Sequence, residues 1–375
     1  MQFRHSLARA STSPRQIIRH RTMSLAQDRL APLHAPQAAP VGDRLAALTA
    51  PARAMLGCEH AIMAGAMTWV SERHLVSAIS NAGGFGVIAC GSMGPDLLAT
   101  EIAATQVLTA KPFGVNLITM HPLLLDLIAV CVRAGVTHIV LAGGLPSGPA
   151  IAAIKGAGIR LIAFAPTAAI ARKLVRAGAD ALVIEGSEAG GHIGPVSTSV
   201  LAQEILPVVQ DVPVFVAGGI GNGRMIAAYL EMGAGGVQLG TRFAAAKESV
   251  AHPAFKRAFV RASARDAVAS VQVDPRFPVI PVRALRNRGQ EEFAAKQREV
   301  AARVDSGELA LADGQLAIEH YWAGALRRAV VDGDVETGSV MAGQSVGMVG
   351  AEESVEAIIA GLVAEARGAL GGRED

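Results

Sequence analysis

The sequence predicts an α/β fold, a (β/α)₈ TIM barrel of eight parallel strands with a small C-terminal helical cap or lid. Three observations carry this prediction. From Ala61 onward a unit recurs: a short apolar run, a glycine-containing turn and an amphipathic stretch. The unit occurs eight times, matching the (β/α)₈ count. Its glycine-rich turns cluster after the later strands, where this architecture builds its phosphate sites.

The eight apolar runs are AIMAGAM (61–67), FGVIACG (85–91), FGVNLIT (113–119), HIVLAGG (138–144), RLIAFAP (160–166), ALVIEGS (181–187), PVFVAGG (213–219) and GVQLGTR (236–242). Continuous rather than alternating apolar runs are what parallel strands covered on both faces require. The intervening stretches read as helices. In 122–134, Leu123, Leu124, Leu127, Ile128 and Cys131 share one face, and Gly135 follows where a helix-ending glycine belongs. The stretches 168–176 and 225–231 end likewise before Gly178 and Gly233. A doubly wound sheet uses the same unit, but it usually needs fewer strands and a phosphate loop after the first one. Beyond the eighth run, helices are expected near 248–262, 290–306 and 354–367, the last completing the outer ring. The Pro-containing segment 273–282 is expected to be loop.

Composition narrows the function. Hydrophobic residues make up 51% and charged residues 18%, so a large core is available. The 34 basic residues nearly balance 32 acidic ones, which gives no electrostatic footprint for nucleic acid. Cys58, Cys90 and Cys131 have neither disulfide-framework nor zinc-site spacing, so no metal is expected and a reducing, cytoplasmic setting is the default. No apolar run is long enough to span a membrane. Residues 1–50 differ from the rest: Met1–Arg21 is Arg-rich and free of acidic residues, and 31–40 is rich in Ala and Pro. This stretch is expected to be a disordered or cleaved tail. An organellar transit peptide, which would place the protein in an organellar matrix, and a true start at Met23 are the alternatives. The expected organisation is then a tail (1–50), a barrel (51–262 and 350–375) and a helical cap or lid insertion (263–349).

Chemistry in such a barrel sits at the C-terminal strand ends. The seventh strand ends AGGIGNGR (217–224) and the eighth QLGTRF (238–243), each offering glycine backbone N–H groups to a phosphate. The sixth ends EGSEAGGHIG (185–194), so His192 emerges from a double-glycine turn flanked by Glu185 and Glu188. An imidazole there can move a proton during a redox step. Schiff-base or thiol chemistry is disfavoured, because Lys111 and Lys155 precede strands and Cys90 has no partner base.

Together with PVFVAGGIGNGRMIAAYLEMGAGGVQLGTRFAAAKES (213–249), the segment EGSEAGGHIG resembles the nitronate monooxygenase (2-nitropropane dioxygenase) family, which includes FMN-dependent enoyl-ACP reductases. The resemblance runs from about Leu56 to Val363. It implies non-covalent FMN and a catalytic role for His192. It puts the phosphate on Gly218, Gly219, Gly240 and Thr241, and the ring and ribityl part near Gly65, Ala66, Met67 and Asn116, with Glu185 and Gly191 facing the cofactor. The first strand reads AGAM (64–67) where relatives often have QGGM, so a Gln contact is missing. GLP in 144–146 is similar to the monooxygenase branch, whereas GVNL (114–117), AHP (251–253) and the segment 333–349 are similar to the reductase branch.

The expected reaction is oxidation of alkyl nitronates with O₂ to a carbonyl compound and nitrite. The alternative is enoyl-thioester (or quinone) reduction with NAD(P)H as donor, the segment 338–348 then lining an acyl channel. The expected partner is a small molecule, a nitronate or an acyl thioester. Monomer and homodimer both stay open, and a flavin-binding sensor without turnover is disfavoured by His192. The tail carries no apolar periodicity with which to join a core. Deleting Met1–Gln27 is therefore expected to leave melting temperature and flavin content unchanged, as thermal unfolding and visible absorbance would report.

Overall fold

The computed structural model describes residues 41–277, 281–322 and 324–371. The eight expected runs become eight parallel strands: β1 (Ile62–Ala64), β2 (Gly86–Ala89), β3 (Phe113–Ile118), β4 (His138–Ala142), β5 (Arg160–Phe164), β6 (Ala181–Glu185), β8 (Val214–Ala217) and β9 (Gly236–Leu239). Their spatial order is β1-β9-β8-β6-β5-β4-β3-β2, and a parallel bridge between Met63 and Phe85 closes the ring. β7 (Gly191–His192) lies outside the barrel, so β8 and β9 are the seventh and eighth barrel strands.

Successive side chains on a strand point to opposite faces, which sorts each strand into two sets. Met63, Phe85, Val87, Val140, Ile162, Ala181, Val183, Phe215 and Ala217 pack together inside the ring. Their neighbours Ile62, Leu182, Ile184, Val214, Val216, Val237 and Leu239 pack outward against helices. The helices end as the pattern requires: Gly135, Gly178 and Gly233 take φ of +69°, +103° and +104°, conformations that cost a residue with Cβ.

The boundary expected at residue 50 falls inside a helix. Residues 1–40 lie outside the described residues, but a helix already runs from Val41 to Leu56. The reason is the apolar spacing within this stretch. Leu45 and Leu48 pack on the outer-helix core, while Ala52, Met55 and Leu56 floor the barrel interior. The Met55 carbonyl meets His138 Nε2 at 2.8 Å, and the His138 ring stands edge-on to Phe85 at 4.9 Å. His138 is thus a buried structural histidine, its pKa lowered by desolvation.

The last helix, Val355–Leu370, packs on helix Gly223–Glu231 and completes the outer ring. Contact is backbone-close: a Cβ at Gly223 would lie 2.1 Å from the Leu362 carbonyl oxygen. Glu365 accepts the Gly223 N–H at 2.7 Å. The segment between barrel and last helix holds helices Arg288–Asp305, Leu311–Trp322 and Ala325–Val330, but also two strands that the helical expectation lacks. β10 (Ala267–Ala269) and β11 (Val282–Leu285) pair antiparallel, and β11 pairs antiparallel with β7. The first of these helices carries Phe293 and Val300 into a small core with Phe277 and Ile318.

No described helix is long and apolar enough to cross a membrane. Phe215 is fully buried at the centre of the barrel interior. Truncating it leaves a void that the closed ring cannot collapse to fill. Phe215→Ala is expected to cost about 3–5 kcal/mol in chemical denaturation.

Candidate active site

Three loops and one late segment converge at the C-terminal mouth. The loop after β1 is fixed by Ser71, whose Oγ donates to the Gly65 carbonyl (3.1 Å) and accepts the Met67 N–H (3.0 Å). Gly65 N–H donates to the Leu239 carbonyl at 2.9 Å, which lays this loop against the end of β9. A Cβ at Gly240 would sit 3.5 Å from Met67 Sδ, so Gly65, Met67 and Gly240 form one wall. Ala66 packs partly against the barrel interior beneath it.

The turn after β8 runs through Gly218 (φ +97°) and Gly219 (φ +74°) before Asn222 caps helix Gly223–Glu231. A Cβ on Gly218 would approach Thr198 Oγ1 and the Gly186 carbonyl, and one on Gly219 would lie 3.0 Å from Glu188 Cβ. Side chains are therefore excluded and the backbone is left bare. Among the described residues, the N–H groups of Gly218, Gly219 and Gly240 donate to no protein acceptor. Such free N–H groups on two adjacent turns, with the Thr241 hydroxyl between β9 and the lid, suit a phosphate. Thr241 Oγ1 accepts the Gly343 N–H at 3.0 Å, which leaves its own proton to donate.

Residues 341–344 form the fourth side and wedge between the β6 and β9 loops. Gly190 and Gly343 face each other so closely that a Cβ on Gly190 would stand 2.5 Å from the Gly343 nitrogen. Gln344 N–H donates to the Glu188 carbonyl at 2.9 Å. Glu188 in turn accepts both the N–H and hydroxyl of Thr198, at 2.7 and 2.8 Å. Glu188 thus organises the loop rather than the chemistry.

His192 sits on β7, beyond the β6 loop, rather than on a barrel strand. Gly191 takes φ +78°, turning the chain so that His192 pairs in register with Val282 of β11. Ile193 N–H donates to the Pro281 carbonyl at 3.0 Å, and Arg283 clamps the strand pair to the β6 loop through the Ser187 carbonyl (2.9 Å). The imidazole is exposed at the mouth yet ringed by protein, and this partial desolvation lowers its pKa. The shift favours the neutral imidazole, which can accept a proton.

Strand alternation places Asn116 and Glu185 inside the barrel. Val115 and Leu117 pack outward, so Asn116 points in, buried, its Nδ2 donating to the Val140 carbonyl at 3.1 Å. Ala181 and Val183 point in, so Glu185 does too. Gln238 joins them by the same rule, between outward Val237 and Leu239. It is buried, and it stands one strand beyond Ala217, the register partner of Glu185. Sequence reasoning misses Gln238, Gly343 and the Glu188–Thr198 link. Gln238 does carry a signal, as a lone amide in an otherwise apolar strand. Gly343 has no local signal, because its partners are far away in sequence. No hydrogen bond joins Asn116, Glu185 and His192 to one another among the described residues. Burial pushes the Cys90 thiol up to about 11, which fits no nucleophilic role.

Burial also pushes the Glu185 carboxyl up from 4.5 to about 8. The native state then holds a proton that the unfolded chain has released, so stability falls as pH rises through this window. The contribution is complete below 4.5 and lost above about 8. Urea unfolding of flavin-free protein is expected to show stability declining from pH ~5 to pH ~8 and levelling off above that, and Glu185→Gln to flatten that decline. An unchanged slope in the variant would assign the effect to other groups.

Comparison with known proteins agrees with this architecture. The family model for nitronate monooxygenase matches residues 50–365. A (3aS,4S,5R,7aS)-5-hydroxy-7a-methyl-1-oxo-octahydro-1H-indene-4-carboxyl-CoA dehydrogenase of Mycobacterium tuberculosis is 33% identical, over 83% of this chain and 94% of that protein. A nitronate monooxygenase of Paraburkholderia phytofirmans is 29% identical, over 72% of this chain and 87% of its own length. The structure of FabK from Thermotoga maritima superposes with a TM-score of 0.77 at 38% identity, covering 84% of this chain and 96% of that one. With a closed eight-stranded barrel, paired glycine turns and a family match across most of its length, the chain belongs to the nitronate monooxygenase family of oxidoreductases.

Proposed function

We propose that the protein is an FMN-dependent oxidoreductase that oxidises small alkyl nitronates with O₂ to a carbonyl compound and nitrite. The observation that carries this reading is geometric: two glycine turns with unaccepted N–H groups and an exposed His192 lie at the same end of the barrel. Burial raises the Glu185 pKa and lowers that of His192, so both shifts favour the uncharged form beside an anionic substrate. The unpaired N–H groups of Gly218, Gly219 and Gly240, with the Thr241 hydroxyl, would hold the FMN phosphate. Gly65, Ala66, Met67, Asn116 and Gln238 would bound its ribityl chain and ring, with Glu185 and Gly191 nearby. When bound, FMN supplies the electron chemistry. The chain's own residues bind and orient the substrate, and His192 either steadies the nitronate or takes the α-proton of a neutral nitroalkane.

A second reading, reduction of an enoyl thioester with NAD(P)H, is favoured by two observations. The relative from Mycobacterium tuberculosis acts, by its name, on a carboxyl-CoA thioester. The late segment also brings apolar Met341 against Gly191 and Met348 against Gly221. His192 would then assist protonation at the α-carbon.

One anaerobic experiment separates the readings. The protein is mixed separately with ethylnitronate, NADH, NADPH and crotonyl-CoA while flavin absorbance is followed. Bleaching by ethylnitronate alone is expected. Bleaching by NAD(P)H with recovery on crotonyl-CoA would replace nitronate oxidation with the thioester reading. His192→Ala is expected to retain flavin and to slow nitroalkane turnover by roughly 10²–10⁴-fold. A pre-formed nitronate should be much less affected, because it arrives deprotonated. Full activity on the neutral nitroalkane would remove His192 from the mechanism.

A further inference from the structure

A second cavity lies at the opposite end of β1 from the mouth. It has a volume of about 180 Å³ and is bounded by helices Val41–Leu56, Gly223–Glu231 and Val355–Leu370 and by the residues leading into β1. Its walls are of two kinds. Leu45, Ile226, Leu230 and Leu362 supply an apolar side, and Arg53, His60 and Arg367 supply a polar one.

The polar side is short of acceptors. Among the described residues, neither the half-buried Arg53 nor the exposed Arg367 guanidinium has a hydrogen-bond or ion-pair partner. Arg53 Nε is buried with nothing to accept its proton. The one carboxylate on the wall, Glu59, is largely exposed and leans on His60 Nε2 at 3.5 Å. Burial lowers the His60 pKa; Glu59 opposes this, while Arg367 and then Arg53 add to it, which places both guanidiniums in the field of one imidazole. A buried donor without an acceptor is unfavourable unless something else supplies one.

We propose that this cavity binds a small organic anion, a carboxylate carried on a short apolar chain. The carboxylate would accept from Arg53 and Arg367, for which a planar two-oxygen group is the natural partner. The chain would lie along Leu45, Ile226, Leu230 and Leu362. A slightly smaller apolar cavity accommodates benzene, so a body of about six carbons fits. An inorganic anion would leave the apolar side empty, and a fatty alcohol would leave the arginines unpaired. The site is independent of the flavin mouth.

The test uses hexanoate as probe, with 1-hexanol and hexylammonium as uncharged and cationic comparators, on the full-length protein as purified. Ligand-observed NMR and thermal unfolding are expected to show saturable binding and stabilisation by millimolar hexanoate, and neither with the comparators. The double variant Arg53→Gln/Arg367→Gln is expected to weaken hexanoate at least tenfold. Ala46→Phe keeps both arginines but fills the cavity that Ala46 lines, and it should weaken hexanoate equally. Should the double variant fail to fold, Ala46→Phe decides alone. Absence of saturable binding to the wild type, equal binding of 1-hexanol, or unchanged hexanoate binding in Ala46→Phe would each overturn the proposal.

Discussion

Phe85, Met63 and Phe215 belong to one apolar cluster inside the ring, and the inward parity they share with Val140, Val183 and Ala217 runs round the strands that carry the site. Once Met63 and Phe215 point inward, Ile62, Val214 and Val216 must point outward to the helices. The same parity, carried up each strand, turns Asn116, Glu185 and Gln238 inward just below the mouth. A one-residue slip in any strand would exchange its two sets and bury the wrong one. The polar residues of the site are thus held by apolar packing beneath them. Helix Val41–Leu56 seals the lower end, where Ala52, Met55 and Leu56 supply the floor.

Above that layer the governing constraint is backbone proximity. Gly218 and Gly219 combine left-handed φ with a tight approach to Thr198 and Glu188, and Gly190 leaves no room for a Cβ against Gly343. These close approaches bring the β6 and β8 loops and the 341–344 segment together. Two of the turns keep N–H groups that no described residue accepts. Glu188 and Arg283 then fix the β6 loop, one to Thr198 and the other to backbone carbonyls. His192 gains its orientation from β11, a strand about ninety residues later in the chain.

The barrel is legible because its signal is local: each strand is a continuous apolar run and each helix end a glycine. The paired glycine turns are legible for the same reason, as GG after the seventh strand and GT after the eighth. What escapes sequence reasoning is long-range. The three-stranded sheet depends on pairing among residues 191–192, 267–269 and 282–285, none of which alternates strongly enough to announce a strand. Segment 273–282 reads as loop because of its prolines, yet β11 begins at its last residue, Val282. The first helix falls in with the tail when composition alone is read, because the Arg-rich stretch upstream outweighs the spacing of Leu45, Leu48 and Ala52.

Placement also explains how two titratable groups so near in sequence come to differ in role. Glu185 ends a barrel strand, and its carboxyl finds no cation or hydrogen-bond donor among the described residues, so burial keeps it protonated. His192 lies past the double glycine on the lid sheet, closer to water, and loses its proton more readily than a free imidazole would. The glycines make the difference, since they let the chain leave the ring and turn back over the mouth. One group then gives the site a neutral donor, and the other a neutral acceptor. One of each in the same mouth is the chemical pairing that anion stabilisation or proton movement at carbon would require.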